Sequence, residues 1–113
     1  MYNTVVEVPE FIKQVEKLLD EEERINLIDY LATHPKEGAI IQGTGGIRKI
    51  RWKGKSKGKR GGVRVIYYFH NESMPLFLLT LFSKGEKENL SKAEQNELAK
   101  LTKTIVETYR RKK

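Results

Sequence analysis

Three strand-like runs follow one another between residues 47 and 83, and they constrain the fold more than any other feature of this chain. Residues 47–53, 63–69 and 76–83 are rich in β-branched and aromatic side chains, which is typical of strands. A glycine-rich loop separates the first two runs, and residues 71–75 contain asparagine, serine and proline, which favour a turn. Strands joined by short connections pair antiparallel, so we expect the three runs to form consecutive strands of one sheet.

The chain before these runs predicts one strand and two helices. Residues 2–8 alternate in polarity and are rich in β-branched side chains, as in a strand. Pro9 suits the first turn of a helix. Asp20 followed by Glu23 has the form of a capping box that begins a second helix. That helix must end before Pro35, because proline disfavours helical geometry in the residue that precedes it.

A second capping box, Ser91 with Glu94, predicts a C-terminal helix. The predicted order of elements is therefore β-α-α-β-β-β-α. This order favours an α+β fold in which an antiparallel sheet carries helices packed on one face. A length of 113 residues is that of one domain, so we assign residues 1–113 to a single domain.

Positive charge is concentrated in one segment. Nine of the 22 Lys and Arg residues fall within residues 48–64, which contain no acidic residue. The chain has a formal net charge of +7 and the segment carries +9, which leaves −2 elsewhere. A local positive field on a sheet and its loop is typical of a nucleic-acid-binding protein. The alternative is a solvated lysine-rich loop that only aids solubility.

Alternation along the first of these strands predicts where its charges point. Lys49, Arg51 and Lys53 share one face, while Ile50 and Trp52 point to the other and favour the core. Burying a charge is expensive. We therefore expect the three cations on the open face of the sheet.

Strand pairing is expected to bring further cations to this face. A hairpin that pairs Arg51 with Arg64, followed by a turn at residues 71–75, places Arg64 opposite Phe82 and Lys84 one step along. Like charges side by side are tolerated chiefly where a polyanion neutralises them. The sequence thus predicts one exposed cluster, made of Lys49, Arg51, Arg64 and Lys84.

Two aromatic residues, Tyr68 and Phe82, are expected beside this cluster. Their rings either offer stacking surfaces for the bases of a nucleic acid or pack under the C-terminal helix. The alternation of side chains along the strands does not decide between these two interpretations.

Composition excludes several kinds of site. The chain contains no cysteine, so disulfides and thiolate metal sites are excluded, and a reducing cytoplasm is the expected location. No apolar run reaches the ~20 residues of a membrane span. His34 and His70 are isolated, and no residues show metal-ligand spacing. We therefore expect no metal, no cofactor and no membrane partner.

Three strings in the middle of the chain carry a family resemblance. Residues 41–51 read IQGTGGIRKIR, residues 57–62 read KGKRGG, and residues 64–69 read RVIYYF. Together they resemble the RelE/HigB group of bacterial toxins, from type II toxin–antitoxin pairs, and are most similar to HigB-type toxins. The likeness extends from the first strand to the C-terminal helix and is strongest over residues 41–84.

The resemblance implies a RelE-like fold with a concave basic face. It also implies cleavage of messenger RNA in the ribosomal A site and neutralisation by a cognate antitoxin. The family's conserved arginine on the central strand falls on Arg64, its basic pair on the preceding strand falls on Lys49 and Arg51, and its basic position after the last strand falls on Lys84. On this basis the catalytic residues are expected to be these four cations. The residues expected to contact RNA or the ribosome are Arg48, Lys53, Lys55, Lys57, Lys59, Arg60, Lys87, Tyr68 and Phe82.

The leading hypothesis is a metal-independent endoribonuclease that acts by transesterification through the RNA 2′-hydroxyl. Clustered cations each disfavour another positive charge, which would let Lys49 or Lys84 take part in proton transfer while Arg64 stabilises the phosphorane. The alternative, from a different class, is a non-catalytic RNA- or ribosome-binding module that uses the same basic surface. A DNA-binding regulator is disfavoured, because no helix is strongly basic except at its C-terminal tip.

Overall fold

A computed structural model describes residues 3–53, 62–87 and 89–111. The described residues form a mixed five-stranded sheet and three helices, which confirms the α+β class. The order of elements is β1 (Val5–Glu7), α1 (Pro9–Leu18), α2 (Glu21–Thr33), β2 (Ala39–Ile40), β3 (Ile47–Trp52), β4 (Val63–Tyr68), β5 (Leu76–Ser83) and α3 (Lys92–Arg111).

The helices begin where local chemistry predicts. Pro9 opens α1, where its missing N–H costs nothing. At the start of α2 the Asp20 side chain accepts from the Glu23 N–H, and the Glu23 carboxylate accepts from the Asp20 N–H. The same reciprocal pair joins Ser91 and Glu94 ahead of α3. Both predicted capping boxes are therefore present.

The strand order across the sheet is β1-β5-β4-β3-β2. The three central strands pair antiparallel, as predicted. β1 differs, because it runs parallel to β5. A parallel pair requires a long crossover between its strands, and β1 lies far from β5 along the chain, so short-range patterns carry no signal for this pairing. The short strand β2, which the sequence did not predict, adds to the outer edge of β3.

The register at the centre of the sheet agrees with the prediction. Arg51 lies opposite Arg64, and Arg64 lies opposite Phe82. The ladder between β4 and β5 contains a bulge, because Ile66 pairs with Thr80 while Tyr67 pairs with Leu78. A bulge places one extra residue on one strand and increases the local twist.

Helices cover both faces of the sheet, which corrects the prediction that they share one face. α1 and α2 pack with Val65 and Tyr67 of β4 on one side. Residues of α3 pack on the other side, around Ile66 and Tyr68. The reason is visible in β5, which reads LFLLTLFS. A strand that is apolar on both faces must be covered on both.

None of the three helices is long and apolar enough to cross a bilayer, within the residues that the structure describes.

Candidate nucleic-acid interface

Four basic residues at one end of the central strands form the candidate interface, hereafter the basic patch. Arg51 and Arg64 face each other as a cross-strand pair, and directly opposite residues hold their Cβ atoms about 5 Å apart. Arg51 and Lys84 are exposed, whereas Lys49 and Arg64 are half-buried. Like charges at directly opposite positions repel each other, and an anion bound between them would relieve that repulsion. The members of the basic patch are Lys49, Arg51, Arg64 and Lys84.

The strand hairpin that carries the basic patch closes on a glycine. Gly62 has a φ of 70°, in the left-handed region that favours glycine. A Cβ at this position would lie 2.4 Å from the carbonyl oxygen of Trp52. Only glycine therefore fits at this position, two residues before Arg64, and it returns the chain into β4 at Val63. In the sequence, the pair Gly61-Gly62 is the signal for this requirement for glycine.

Lys49 is held in place from outside the sheet. Its Nζ donates to the Oδ1 of Asn89, 2.8 Å away, in the segment that leads into α3. A long side chain with a fixed partner loses less rotamer freedom when it binds a ligand. Asn89 was not predicted as part of the site, because nothing in its local sequence marks it.

Lys87 lies beside the basic patch with its charge already engaged. Its Nζ pairs with the Glu94 carboxylate and stands 5.0 Å from the centroid of the Phe82 ring. The hydrogen bond from Lys87 is the main reason that the pKa of Glu94 lies below its usual value. Lys87 must therefore exchange Glu94 for phosphate if it is to contact RNA.

Tyr68 and Phe82 are buried, with 5% and 2% of their surface exposed. Both belong to the cluster of apolar side chains under α3, and burial raises the pKa of Tyr68. Of the two interpretations from the sequence, stacking on bases and packing under the C-terminal helix, the structure supports packing. Neither ring offers a face for stacking on a base.

Arg48 points away from the basic patch and is engaged by main chain. Its Nη1 donates to the carbonyl oxygens of Lys36, at 3.1 Å, and Gly38, at 2.7 Å. The Gly38 N–H in turn donates to the Tyr67 hydroxyl at 2.8 Å. Arg48 thus stabilises the turn before β2, and this arrangement does not support its predicted contact with RNA.

The other predicted RNA contacts lie at the end of the hairpin. Lys53 is exposed directly after β3. The remaining four lie outside the described residues, namely Lys55, Lys57, Lys59 and Arg60.

The chemistry that the basic patch itself supplies is cationic. Its four members are all Lys or Arg. His34 stacks on Tyr30, and His70 contacts Tyr68 at the other end of β4. Within the described residues, no group of three or more His, Cys, Asp or Glu is placed to hold a metal ion. The patch can bind phosphates and stabilise added negative charge on them.

Two comparisons relate this chain to known proteins. A family model described as "RelE toxin of RelE / RelB toxin-antitoxin system" matches residues 13–112. A solved structure of the toxin RelE from E. coli, a double-arginine mutant in the free state, is similar with a TM-score of 0.55 and 18% sequence identity. The match covers 78% of this chain and 90% of that chain. At this identity the structural likeness establishes a shared fold.

Proposed function

The chain belongs to the RelE toxin family of RelE/RelB toxin–antitoxin systems, and we propose that it is a ribosome-dependent endoribonuclease that cleaves messenger RNA in the cytoplasm. The observation that carries the proposal is the cross-strand pair of Arg51 and Arg64, flanked by Lys49 and Lys84. This arrangement concentrates positive charge at a point where an RNA phosphate can dock. The likeness to HigB-type toxins stays a prediction.

In the proposed reaction the 2′-oxygen of a ribose attacks the adjacent phosphorus and gives up its proton. A P–O2′ bond forms, the P–O5′ bond breaks, and the leaving 5′-oxygen takes up a proton. The products are a 2′,3′-cyclic phosphate and a 5′-hydroxyl. Negative charge builds up on the phosphorane between these steps, and fixed cations aimed at that charge lower the barrier.

We assign the roles within the basic patch from its geometry. Arg64 sits on the central strand of the described sheet, so we place its guanidinium against the phosphorane oxygens. Arg51, opposite Arg64, is proposed to stabilise the same negative charge. Lys49, held by Asn89, and the exposed Lys84 are the proposed proton-transfer groups.

The ribosome is proposed to supply the positioning that this set of side chains lacks. Holding a substrate in a reactive geometry can contribute about 7–11 kcal/mol to lowering a barrier. The lysine-rich loop between β3 and β4 is proposed to grip ribosomal RNA phosphates.

The test is to incubate the protein with translating ribosomes and map messenger ends. New cuts in register with codons, with cyclic phosphate at the 3′ ends, are expected. The same assay with free messenger and no ribosomes should leave the RNA intact. Ribosome binding with intact messenger would instead favour the non-catalytic RNA-binding module.

We further propose that a cognate antitoxin neutralises the toxin by covering the basic patch. A segment with acidic and apolar side chains would neutralise the four cations. Hydrogen exchange with and without the antitoxin tests this, with protection expected in β3, β4 and the segment after β5. Protection confined to α1 and α2 would contradict direct cover and favour steric exclusion from the ribosome.

A further inference from the structure

The outer edge of β3 carries a pocket where β2 no longer covers it. β2 pairs with β3 through two residue pairs, Ala39 with Lys49 and Ile40 with Arg48. In the part of the chain that the structure describes, no strand lies beside residues 50–52 on that side. A pocket of about 390 Å³ forms there, hereafter the edge pocket. Sites for small ligands have volumes of about 300–1,000 Å³, so the edge pocket can hold one nucleoside.

The edge pocket adjoins the basic patch through shared residues. Lys49 and Arg51 belong to the basic patch and also line the edge pocket. Ile50 and Trp52, which point to the opposite face of the sheet, line it as well. A ligand can therefore pass around the edge of β3, with one part on the cations and the next part beside Trp52. An RNA strand held by its phosphate on Lys49 and Arg51 places its neighbouring base at this point.

Aromatic rings form the apolar side of the edge pocket. Trp52 and Tyr30 are both half-buried and line it. Their ring centroids are 5.5 Å apart and the rings are tilted by 51°, whereas Tyr30 stacks nearly parallel on His34. Among the described residues, no ring stacks in parallel on Trp52. A flat aromatic ligand would provide that contact, because aromatic rings in proteins are favoured stacking surfaces for unpaired bases.

A carboxylate stands opposite the cations of the edge pocket. Glu37 is exposed and lines it, and within the described residues its side chain forms no salt bridge. An ionised carboxylate only accepts hydrogen bonds, and it repels a phosphate. The group that it favours is therefore an uncharged one with N–H donors. Guanine fits best among the bases, because its N1–H and its 2-amino group lie side by side and both can donate to one carboxylate.

We propose that the edge pocket binds an unpaired guanine of RNA, whose ring stacks on Trp52, whose donor edge meets Glu37, and whose adjoining phosphate lies on Lys49 and Arg51. The inference rests on the proposed function and deepens it, since it adds a site for base recognition next to the phosphate that is cleaved. An isolated phosphate would not use the aromatic rings. A basic peptide would be repelled by the two cations.

The test uses the fluorescence of Trp52, which is the only tryptophan of the chain. The probe is the trinucleotide UGU with 2′-O-methyl riboses, which cannot be cleaved through a 2′-hydroxyl. It is titrated into the full chain at low salt, without ribosomes. We expect it to quench the fluorescence of Trp52. A matched probe without the central base should bind through its phosphates and leave the fluorescence unchanged, and UUU should bind about fivefold more weakly than UGU.

Variants separate stacking from folding. Trp52→Ala should weaken binding of a dye-labelled UGU, followed by fluorescence anisotropy, at least fivefold, the effect of losing one stacked base. The same variant should bind the probe without a central base as the unchanged chain does, which a misfolded protein would not. Glu37→Gln should reduce the preference for UGU over UUU, because an amide keeps only one acceptor oxygen. Glu72→Gln, which makes the same change in charge at an exposed turn position, should keep that preference.

Three results would overturn the inference. They are unchanged Trp52 fluorescence at a saturating concentration of UGU, equal affinity for UGU and for the probe without a central base, and equal affinity for UGU and free guanosine monophosphate. The last would assign the edge pocket to a free nucleotide. Messenger cleavage on ribosomes together with any of these results would contradict this inference alone. The expected binding of UGU without messenger cleavage would contradict the proposed function alone.

Discussion

At the scale of single residues, the arginines of the basic patch can be distinguished from an arginine that stabilises the fold. Arg64 and Arg48 are both arginines on neighbouring strands. The Nη1 of Arg48 donates to two main-chain carbonyls, whereas Arg64 faces Arg51 across the ladder. Alternation along each strand, together with the register of β3 against β4, distinguishes the two arginines, because their side chains lie on opposite faces of the sheet.

Arg64→Ala is expected to reduce messenger cleavage by about 10²- to 10³-fold, the usual effect of removing one group that stabilises charge in a transition state. Single-turnover cleavage on translating ribosomes measures this. Arg64→Lys should recover part of the rate, because it keeps the charge and loses the planar fork. An Arg64→Ala protein that is folded and fully toxic would remove Arg64 from the proposed mechanism.

At the scale of elements, the start of α3 connects helix capping to the interface. The Glu94 carboxylate accepts from the Ser91 N–H with one oxygen and from Lys87 with the other. One side chain thus caps the helix and restrains a cation beside the basic patch. A substitution here should change both stability and the charge available to RNA.

Glu94→Gln should lower the free energy of unfolding at neutral pH by about 0.5 kcal/mol, the scale of an exposed ion pair, because glutamine can still accept the capping bond from the Ser91 N–H. The folded state lowers the pKa of Glu94 below its ordinary 4.5, chiefly through Lys87. Its contribution to stability is therefore fully present above pH 4.5 and is lost as the pH falls through the lowered value.

Urea unfolding of both proteins between neutral pH and pH 3 measures this effect, and the difference between them should shrink at acidic pH. Glu107→Gln, on an exposed face of the same helix, is the matched control and should change little. A difference that grows on acidification would have the wrong sign for a lowered pKa.

At the scale of the whole molecule, opposite charges are segregated around one sheet. The basic patch lies at one end of β3 and β4, whereas Glu10, Glu86 and Glu97 line the groove between α1, α3 and the second half of β5.

Neutralising Lys55, Lys57 and Lys59 together should weaken ribosome binding and flatten its salt dependence. The slope of log affinity against log salt should fall by roughly one unit for each phosphate that the loop no longer binds. A control that neutralises Lys13, Lys36 and Lys100, which are exposed elsewhere, makes the same change in net charge. Equal effects of the two triple variants would mean that net charge, rather than the loop, controls binding.

Rules that depend only on neighbouring residues predicted many of the helices and strands. Both capping boxes, the bounds of β5, and the pairs Arg51–Arg64 and Arg64–Phe82 were readable because each depends on neighbouring residues or on a short turn. Alternation and strand register also predicted that the four cations of the basic patch cluster, and family resemblance then assigned catalytic roles to them. The catalytic roles of these residues stay predictions.

Other features depend on contacts between distant segments, and only the tertiary structure decided them. Tyr68 and Phe82 fit either exposed stacking or burial until α3 was seen to cover their face of the sheet. The parallel pairing of β1 with β5 joins residues about 70 positions apart, a separation over which periodicity carries no signal. The sequence by itself determined which residues form strands and helices and where positive charge concentrates, since those properties are local. Which faces of the sheet are covered follows from how the finished elements pack together.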